Sequence, residues 1–266
     1  KTGGLKRLFD KEVDERSPRD NFFHCLKAIR YLFSVRYYFD EVTPDNLEPE
    51  SIDLPGFSYY DTQNGFHIYK NDYALPMGFT FDTYVSRSQW ETYSESDRCN
   101  LLLRALVLED DAVETYQKDM QKLPDAVHQM SDEDLLAECT ERAKTACDSF
   151  TYNSKGFHAT ISTDHENLVF FSVPWEEGWS AEVNGEPVAI EKADIGFMAV
   201  PVAAGDSEIT FTYHTPGLKA GALLSLGGLV LFAGYLTVAG IYNKRHPNPK
   251  TESICCEDYS TEETAN

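Results

Sequence analysis

Apolar residues recur in this chain with two different periods, and the change of period marks the first elements. Phe22, Leu26, Ile29 and Phe33 follow the helix-start chemistry of Ser17-Pro18 and Asp20 at helical spacing, which predicts an amphipathic helix over 20–33. Directly afterwards Val35, Tyr37 and Phe39 alternate with Arg36, Tyr38 and Asp40, the period of a half-buried strand. Three prolines and many acids make 41–56 a loop. Asn64-Gly65 favours a tight turn, and Phe66, Ile68, Phe79 and Phe81 alternate on either side of Leu75-Pro76-Met77-Gly78, so a small sheet is expected here. The pattern turns helical from Ser94 to Gln121. Ser131 with Asp134 three residues on then resembles a capping box, opening a helix whose buried stripe would be Leu135, Cys139, Ala143, Cys147 and Phe150.

The clearest β region is 156–214. Phe157, Ala159 and Ile161 alternate, Leu168 to Val173 is a continuous apolar run, and Ile209, Phe211 and Tyr213 alternate with threonines. Asn184-Gly185 carries a type I′ hairpin signal and Ala204-Gly205-Asp206 supplies another turn, so six short strands fit, spaced for a sandwich rather than for βαβ units. The fold class expected is mainly β (α+β), a β-sandwich-like domain with helical segments and one C-terminal transmembrane helix.

That last helix rests on 23 consecutive uncharged residues from Ala220 to Tyr242. As a helix they would measure about 34 Å, against a hydrocarbon core of about 30 Å. Lys244, Arg245 and His246 follow the span while only Lys219 precedes it, which orients the C-terminus inward. Gly217, Gly221, Gly227, Gly228 and Gly234 provide small-residue surface for packing on other helices. The organisation expected is a mixed α/β region at 1–150, a β-sandwich-like domain at 151–216, a transmembrane helix at 217–242 and a disordered tail at 243–266. Residues 1–216 would be extracytoplasmic and 243–266 cytoplasmic. Lys1 opens no signal-peptide pattern, so the segment reads as part of something longer.

Charge and cysteine content narrow the function classes. With 44 acidic against 23 basic residues the net charge is -21, and the Lys/Arg clusters that neutralise phosphates are absent, which argues against nucleic acid. The six cysteines form no CxxC pair or zinc spacing. Cys139 and Cys147, about 12 Å apart on one predicted helix, are too distant for a disulfide. Cys255-Cys256 in the tail could be acylated or bind metal, although a vicinal pair with no other ligand is more often inert. His158, His165 and His214 could converge, but without a Cys or carboxylate motif they make no metal site. No phosphate-cradling loop, HExxH, EF-hand loop or nucleophile elbow occurs, so neither catalytic residues nor cofactors are assigned. Trp175, Trp179 and Trp90 are candidate sugar contacts, since an aromatic face suits the axial hydrogens of a sugar ring; core packing is the competing role.

Several stretches together resemble a known family. They are Leu168-Val-Phe-Phe-Ser-Val-Pro-Trp175, Gly178-Trp179-Ser-Ala-Glu-Val-Asn184-Gly185, Gly196-Phe-Met-Ala-Val-Pro201 with Ala204-Gly205, and Ile209 to Pro216 leading into the span. Earlier, Leu32-Phe33-Ser34-Val35-Arg36-Tyr37-Tyr38 and Asn71-Asp-Tyr-Ala74-Leu75-Pro76-Met77-Gly78 agree with them. Their order is similar to the C-terminal end of YfhO-like bacterial membrane proteins. Departures are Ser34 for the usual Gly, Trp175 for the common Tyr, and the acidic tail. The resemblance implies a polytopic parent of GT-C glycosyltransferase architecture that uses a polyprenyl-phosphate sugar to decorate a cell-surface polymer. Its catalytic acid would lie in an early loop outside these residues, so none is carried over. The partners so implied are the lipid bilayer, upstream transmembrane helices of the parent and a cell-surface glycopolymer. This part would bind acceptor or give structural support; the alternative is a single-span surface module that binds glycans or proteins without catalysis.

Overall fold

The computed structural model describes residues 28–49, 51–124 and 130–246. The chain divides into two compact units, one ending at His214 and one beginning at Thr215. In the first unit, three sheets form. A small sheet has the order β1-β3-β2, from β1 (Tyr37–Glu41), β2 (Phe57–Gln63) and β3 (Phe66–Asn71). A seven-stranded sheet contains β4 (Phe79–Thr80), β5 (Thr83–Ser86), β6 (Leu106–Leu108), β7 (Gln121–Lys122), β10 (Asn167–Pro174), β13 (Glu191–Ala193) and β14 (Phe197–Val202). Its order is β4-β10-β14-β13-β6-β5-β7. The third sheet, in the order β12-β11-β15-β9-β8, uses β8 (Ser149–Asn153), β9 (Gly156–Thr163), β11 (Trp179–Val183), β12 (Glu186–Val188) and β15 (Gly205–Tyr213).

The continuous apolar run in β10 explains how these sheets stack. Successive side chains on a strand point to opposite faces, so a run without polar alternation requires cover on both sides. Leu168 and Phe170 enter one core with Phe79, Phe81, Leu101, Leu106 and Trp90. Val169 and Phe171 enter a second core with Phe157, Ala159, Ile209 and Phe211 of the third sheet. Strand β14 repeats the division: Phe197 and Ala199 face the first core, Met198 and Val200 the second. The β-rich, sandwich-like class expected from the sequence is what forms, with helices covering the other face of the middle sheet. The region 156–214 holds seven strands rather than six, β13 being the short addition. Asn184 (φ 54) and Gly185 (φ 81) make the tight turn joining β11 to β12, as the dipeptide predicts.

The helical run expected over Ser94–Gln121 is broken by a strand. Helix Glu95–Leu101 ends, Leu106–Leu108 forms β6, and helix Asp110–Tyr116 follows before β7. Strands β5, β6 and β7 pair in parallel, Tyr84 opposite Leu106 on one side and Lys122 on the other. All three residues of β6 are buried, and a short apolar run of that kind has no period to distinguish it from helix. The capping box does form: Ser131 N–H donates to Asp134 Oδ2 at 3.0 Å and Asp134 N–H to Ser131 Oγ at 3.1 Å. Its helix stops at Lys144, however, so Ala143 is exposed, Arg142 is buried in its place, and Cys147 and Phe150 pack beyond the helix in the second core. Arg142 Nη1 donates to the Thr80 carbonyl at 2.7 Å with its guanidinium above the Phe81 ring.

Of the expected helix at 20–33, residues 28–32 are helical and bury Ala28, Ile29, Tyr31 and Leu32; positions 20–27 lie outside the described residues. Ser34, where the resembled family usually has Gly, has φ 56, the left-handed region that glycine occupies most easily. Its hydroxyl donates to the Leu75 carbonyl, holding β1 to the first core. Gly78 of the Ala-Leu-Pro-Met-Gly segment is needed for two reasons. It has φ 83, and a Cβ there would lie 2.5 Å from Cys147 Sγ and 2.7 Å from Phe171 Cε1. Cys139 and Cys147 are both free thiols.

The turn from β13 to β14 places Asp194 (φ 45) and Ile195 (φ 70) in left-handed conformations. Asp194 Oδ1 accepts from Val107 N–H at 2.9 Å, and its own N–H donates to the Val107 carbonyl, so the turn is fastened to β6. Its Oδ2 is buried without a hydrogen-bond partner among the described residues. Burial pushes this carboxyl up to about 8 from its ordinary 3.8, against the opposing effect of the Val107 N–H.

The second unit contains helix Leu218–Arg245, 28 residues in which an 18-residue stretch has a mean hydropathy of 2.0, long and apolar enough to cross a membrane. It contains the whole run read from the sequence. The tail after 246, with Cys255-Cys256, lies outside the described residues.

Two substitutions test this packing. Because folding holds the Asp194 proton more tightly than the unfolded chain does, stability is full below pH 3.8 and is lost as the pH rises towards about 8. Asp194→Asn keeps the Oδ1 acceptor and tolerates the positive φ, so denaturant unfolding should show that pH-dependent loss in the parent chain and a flatter profile in the variant. Gly78→Ala should lower unfolding stability by about 2 kcal/mol or more, through both the backbone and the overlap with Phe171.

Candidate functional site

The three tryptophans do not come together. Trp90 is 3% exposed in the first core, with the Arg98 guanidinium 4.6 Å and that of Arg87 5.6 Å from its ring centre. Trp175 and Trp179 are half-buried against the second core. Trp175 carries Lys192 Nζ 3.8 Å above its ring. Trp179 lies 5.0 Å from Tyr213 and 5.6 Å from Phe157, ring centre to ring centre. Each of the three rings thus already carries an aromatic or cationic neighbour.

Exposed aromatic rings gather instead on one face of the small sheet. In β1, Tyr37 is 44% and Phe39 57% exposed; in β2, Tyr60 is 60% and in β3, Phe66 is 39% exposed. The register puts them on one side: Tyr37 opposite Lys70, Phe39 opposite Ile68, and Glu41 opposite Phe66. The other edge adds Ser58, Asp61 and Gln63, and a register shift between Tyr59 and Asp61 accommodates Tyr60. Tyr37 and Tyr60 meet edge-on across the sheet at 5.9 Å, and Phe39 and Phe66 at 6.5 Å. Rings therefore alternate with a cation, two carboxylates, a hydroxyl and an amide. Hydrogen bonding to Asp72 raises the Lys70 pKa, so its ammonium stays charged at neutral pH.

The opposite face of this sheet is partly covered by its own loop, which buries His67 and leaves Tyr59 48% exposed. His67, 2% exposed, bonds Thr62 Oγ1 at 2.7 Å through Nδ1 and the Asn46 carbonyl at 2.8 Å through Nε2. Asn46 Nδ2 in turn donates to Asp40 Oδ2 and to the Glu41 carbonyl. Tyr69 is buried between Tyr38 and Tyr59. The half-buried strand expected at Val35–Asp40 thus exists, but Tyr38 points to the covered side while Tyr37 and Phe39 face out. Sequence alternation could not decide this, because Tyr37-Tyr38-Phe39 is aromatic on both faces. The signal that remained was the aromatic density of β1 and β2 in strands with no matching apolar partner.

The described histidines are dispersed. His158 Nε2 pairs with Glu208 Oε1 across adjacent strands at 2.8 Å, and His165 lies 3.9 Å from Asp82. Among the described residues, no group of three His, Cys, Asp or Glu side chains is placed to hold a metal ion.

Trp90→Phe tests the assignment of that ring to the core. Loss of indole volume and of two guanidinium contacts should cost about 1–3 kcal/mol of unfolding stability. A Tyr60→Ser change on the open sheet should stay within about 0.5 kcal/mol.

Comparison with known proteins agrees with the strand pattern and the apolar helix. The family described as bacterial membrane protein YfhO matches residues 27–134 and 125–225. The uncharacterized protein YfhO of Bacillus subtilis (strain 168) is 30% identical over 121 residues, which is 46% of this chain and 13% of that relative. No solved structure matches. With the family match running from β1 through β15 into the apolar helix, the chain belongs to the YfhO family of bacterial membrane proteins.

Proposed function

We propose that this chain is the extracytoplasmic, C-terminal part of a polytopic membrane glycosyltransferase, and that the open face of its small sheet holds the glycan acceptor. The observation carrying this reading is the cluster of Tyr37, Phe39, Tyr60 and Phe66 presented to solvent on one face, while His67 and Tyr69 of the other face are buried beneath a hydrogen-bonded loop. Flat rings shed water readily against the apolar face of a sugar, while Lys70, Asp61, Gln63 and Ser58 sit within reach of its hydroxyls. The role is binding. The chemistry would belong to membrane-embedded parts of the parent, for which helix Leu218–Arg245 supplies the anchor. Lys244 and Arg245 after the span, against a strongly acidic preceding unit, support an outward-facing domain.

Replacing Tyr37, Phe39 and Tyr60 together by Ala in the full-length membrane protein removes three stacking surfaces without touching either core. Sugar transfer to the surface polymer should fall roughly tenfold while the amount of protein in the membrane is unchanged. Normal polymer glycosylation in that strain would rule out acceptor binding by this face.

A further inference from the structure

The parallel strands create a second surface, far in character from the aromatic sheet. Their spatial order is β6-β5-β7. From β5 the chain passes to β6 on one side, and only after β6 does it cross to β7 on the other. The connection leaving β5 opens with helix Arg87–Trp90, which stands at the carboxyl end of that strand.

A cleft of about 560 Å³ lies at this position, lined by Ser86, Ser88, Gln89, Thr92, Tyr93 and Lys122. Ser86 is the last residue of β5 and Lys122 the last of β7. In a chain of net charge -21, the described lining offers three hydroxyls, one amide, one phenol and one ammonium, with the Asp110 carboxylate 2.9 Å behind Ser88 Oγ. Internal hydrogen bonds occupy part of this lining. Ser88 Oγ donates to Asp110 Oδ1 at 2.9 Å and accepts from Ser86 Oγ at 3.2 Å, and Thr92 Oγ1 donates to the Gln89 carbonyl at 2.7 Å, so each oxygen keeps a lone pair to accept. Gln89 Nε2 donates to the Tyr93 oxygen at 2.9 Å, leaving the phenolic hydrogen to donate outward. Lys122 forms no ion pair among the described residues. Among the described residues, acceptors and a donor converge beside one cation in an open, shallow cleft.

We propose that the cleft between the carboxyl ends of β5 and β7 binds a pyranose-sized polyol carrying one anionic group, with Lys122 receiving the anion and Ser88, Thr92 and Tyr93 the hydroxyls. The assignment does not depend on the aromatic sheet face. Neutral polyols satisfy the hydroxyl partners but leave the ammonium unmatched. Inorganic phosphate does the reverse.

Calorimetric titration of the full chain in detergent micelles with glucose 1-phosphate, glucose and inorganic phosphate tests this directly. Saturable binding of glucose 1-phosphate is expected, roughly tenfold tighter than either fragment. Lys122→Gln should reduce it to the level of glucose, and Tyr93→Phe should weaken both sugars alike. The Tyr37, Phe39 and Tyr60 triple variant should bind as the parent chain does, which separates this site from the sheet face. Absence of saturable glucose 1-phosphate binding, equal affinity in Lys122→Gln, or phosphate alone binding as tightly would each overturn the proposal. Unchanged thermal unfolding of the exposed Lys122→Gln variant keeps the comparison clean.

Discussion

Strand β10 is buried on both faces from Asn167 to Phe171, and most of the first unit is arranged to satisfy that condition. A strand with Leu168 and Phe170 on one side and Val169 and Phe171 on the other cannot stand at the surface of a two-layer protein. It needs a layer above and a layer below. The third sheet supplies one, through Phe157 stacked on Phe211 at 4.4 Å and both rings against Phe171. The helices and loops around Leu101, Leu106 and Trp90 supply the other. Neighbouring β14 obeys the same division, so the pair forms a shared wall between two cores.

This wall also places the two candidate surfaces. The middle sheet extends from β14 through β13 to β6, and β6 in turn positions β5 and β7, whose carboxyl ends frame the polar cleft. Asp194 fastens the β13 turn to that strand at Val107. The small aromatic sheet attaches to the first core differently, through Ser34 to the Leu75 carbonyl, Tyr31 to the Pro55 carbonyl and Asn71 to the Val35 carbonyl. Both surfaces are therefore carried by sheet strands tied into the first unit by hydrogen bonds. A binding platform gains from that, since ordering costs are met in folding rather than at contact.

Much of this was legible in the sequence where one local rule dominates. The Asn-Gly turns, the Ser131–Asp134 capping box and the apolar helix each follow from a few adjacent residues. The β-rich class followed from alternation in 156–214. What the sequence hid depended on distant partners. The three buried residues of β6 read as helix because a strand covered on both faces has no alternation. Arg142 took a buried place at the end of its helix because the Thr80 carbonyl and the Phe81 ring, some sixty positions earlier, receive it. The outward direction of Tyr37 and Phe39 was set by the loop carrying Asn46, which partly covers the other side. The tryptophans drew attention by residue type, yet Trp90 is the anchor of a core, and the rings left in solvent are tyrosines and phenylalanines.

The central claim is that the shared wall of β10 and β14 makes the first unit one cooperative body. Native-state hydrogen exchange measures this residue by residue. Amides of β6, β10, β14 and β9 should exchange with one common free energy, equal to that of global unfolding. If the strands before residue 124 open at a distinctly lower free energy while those from 149 to 213 stay protected, the two cores are independent and the wall does not join them.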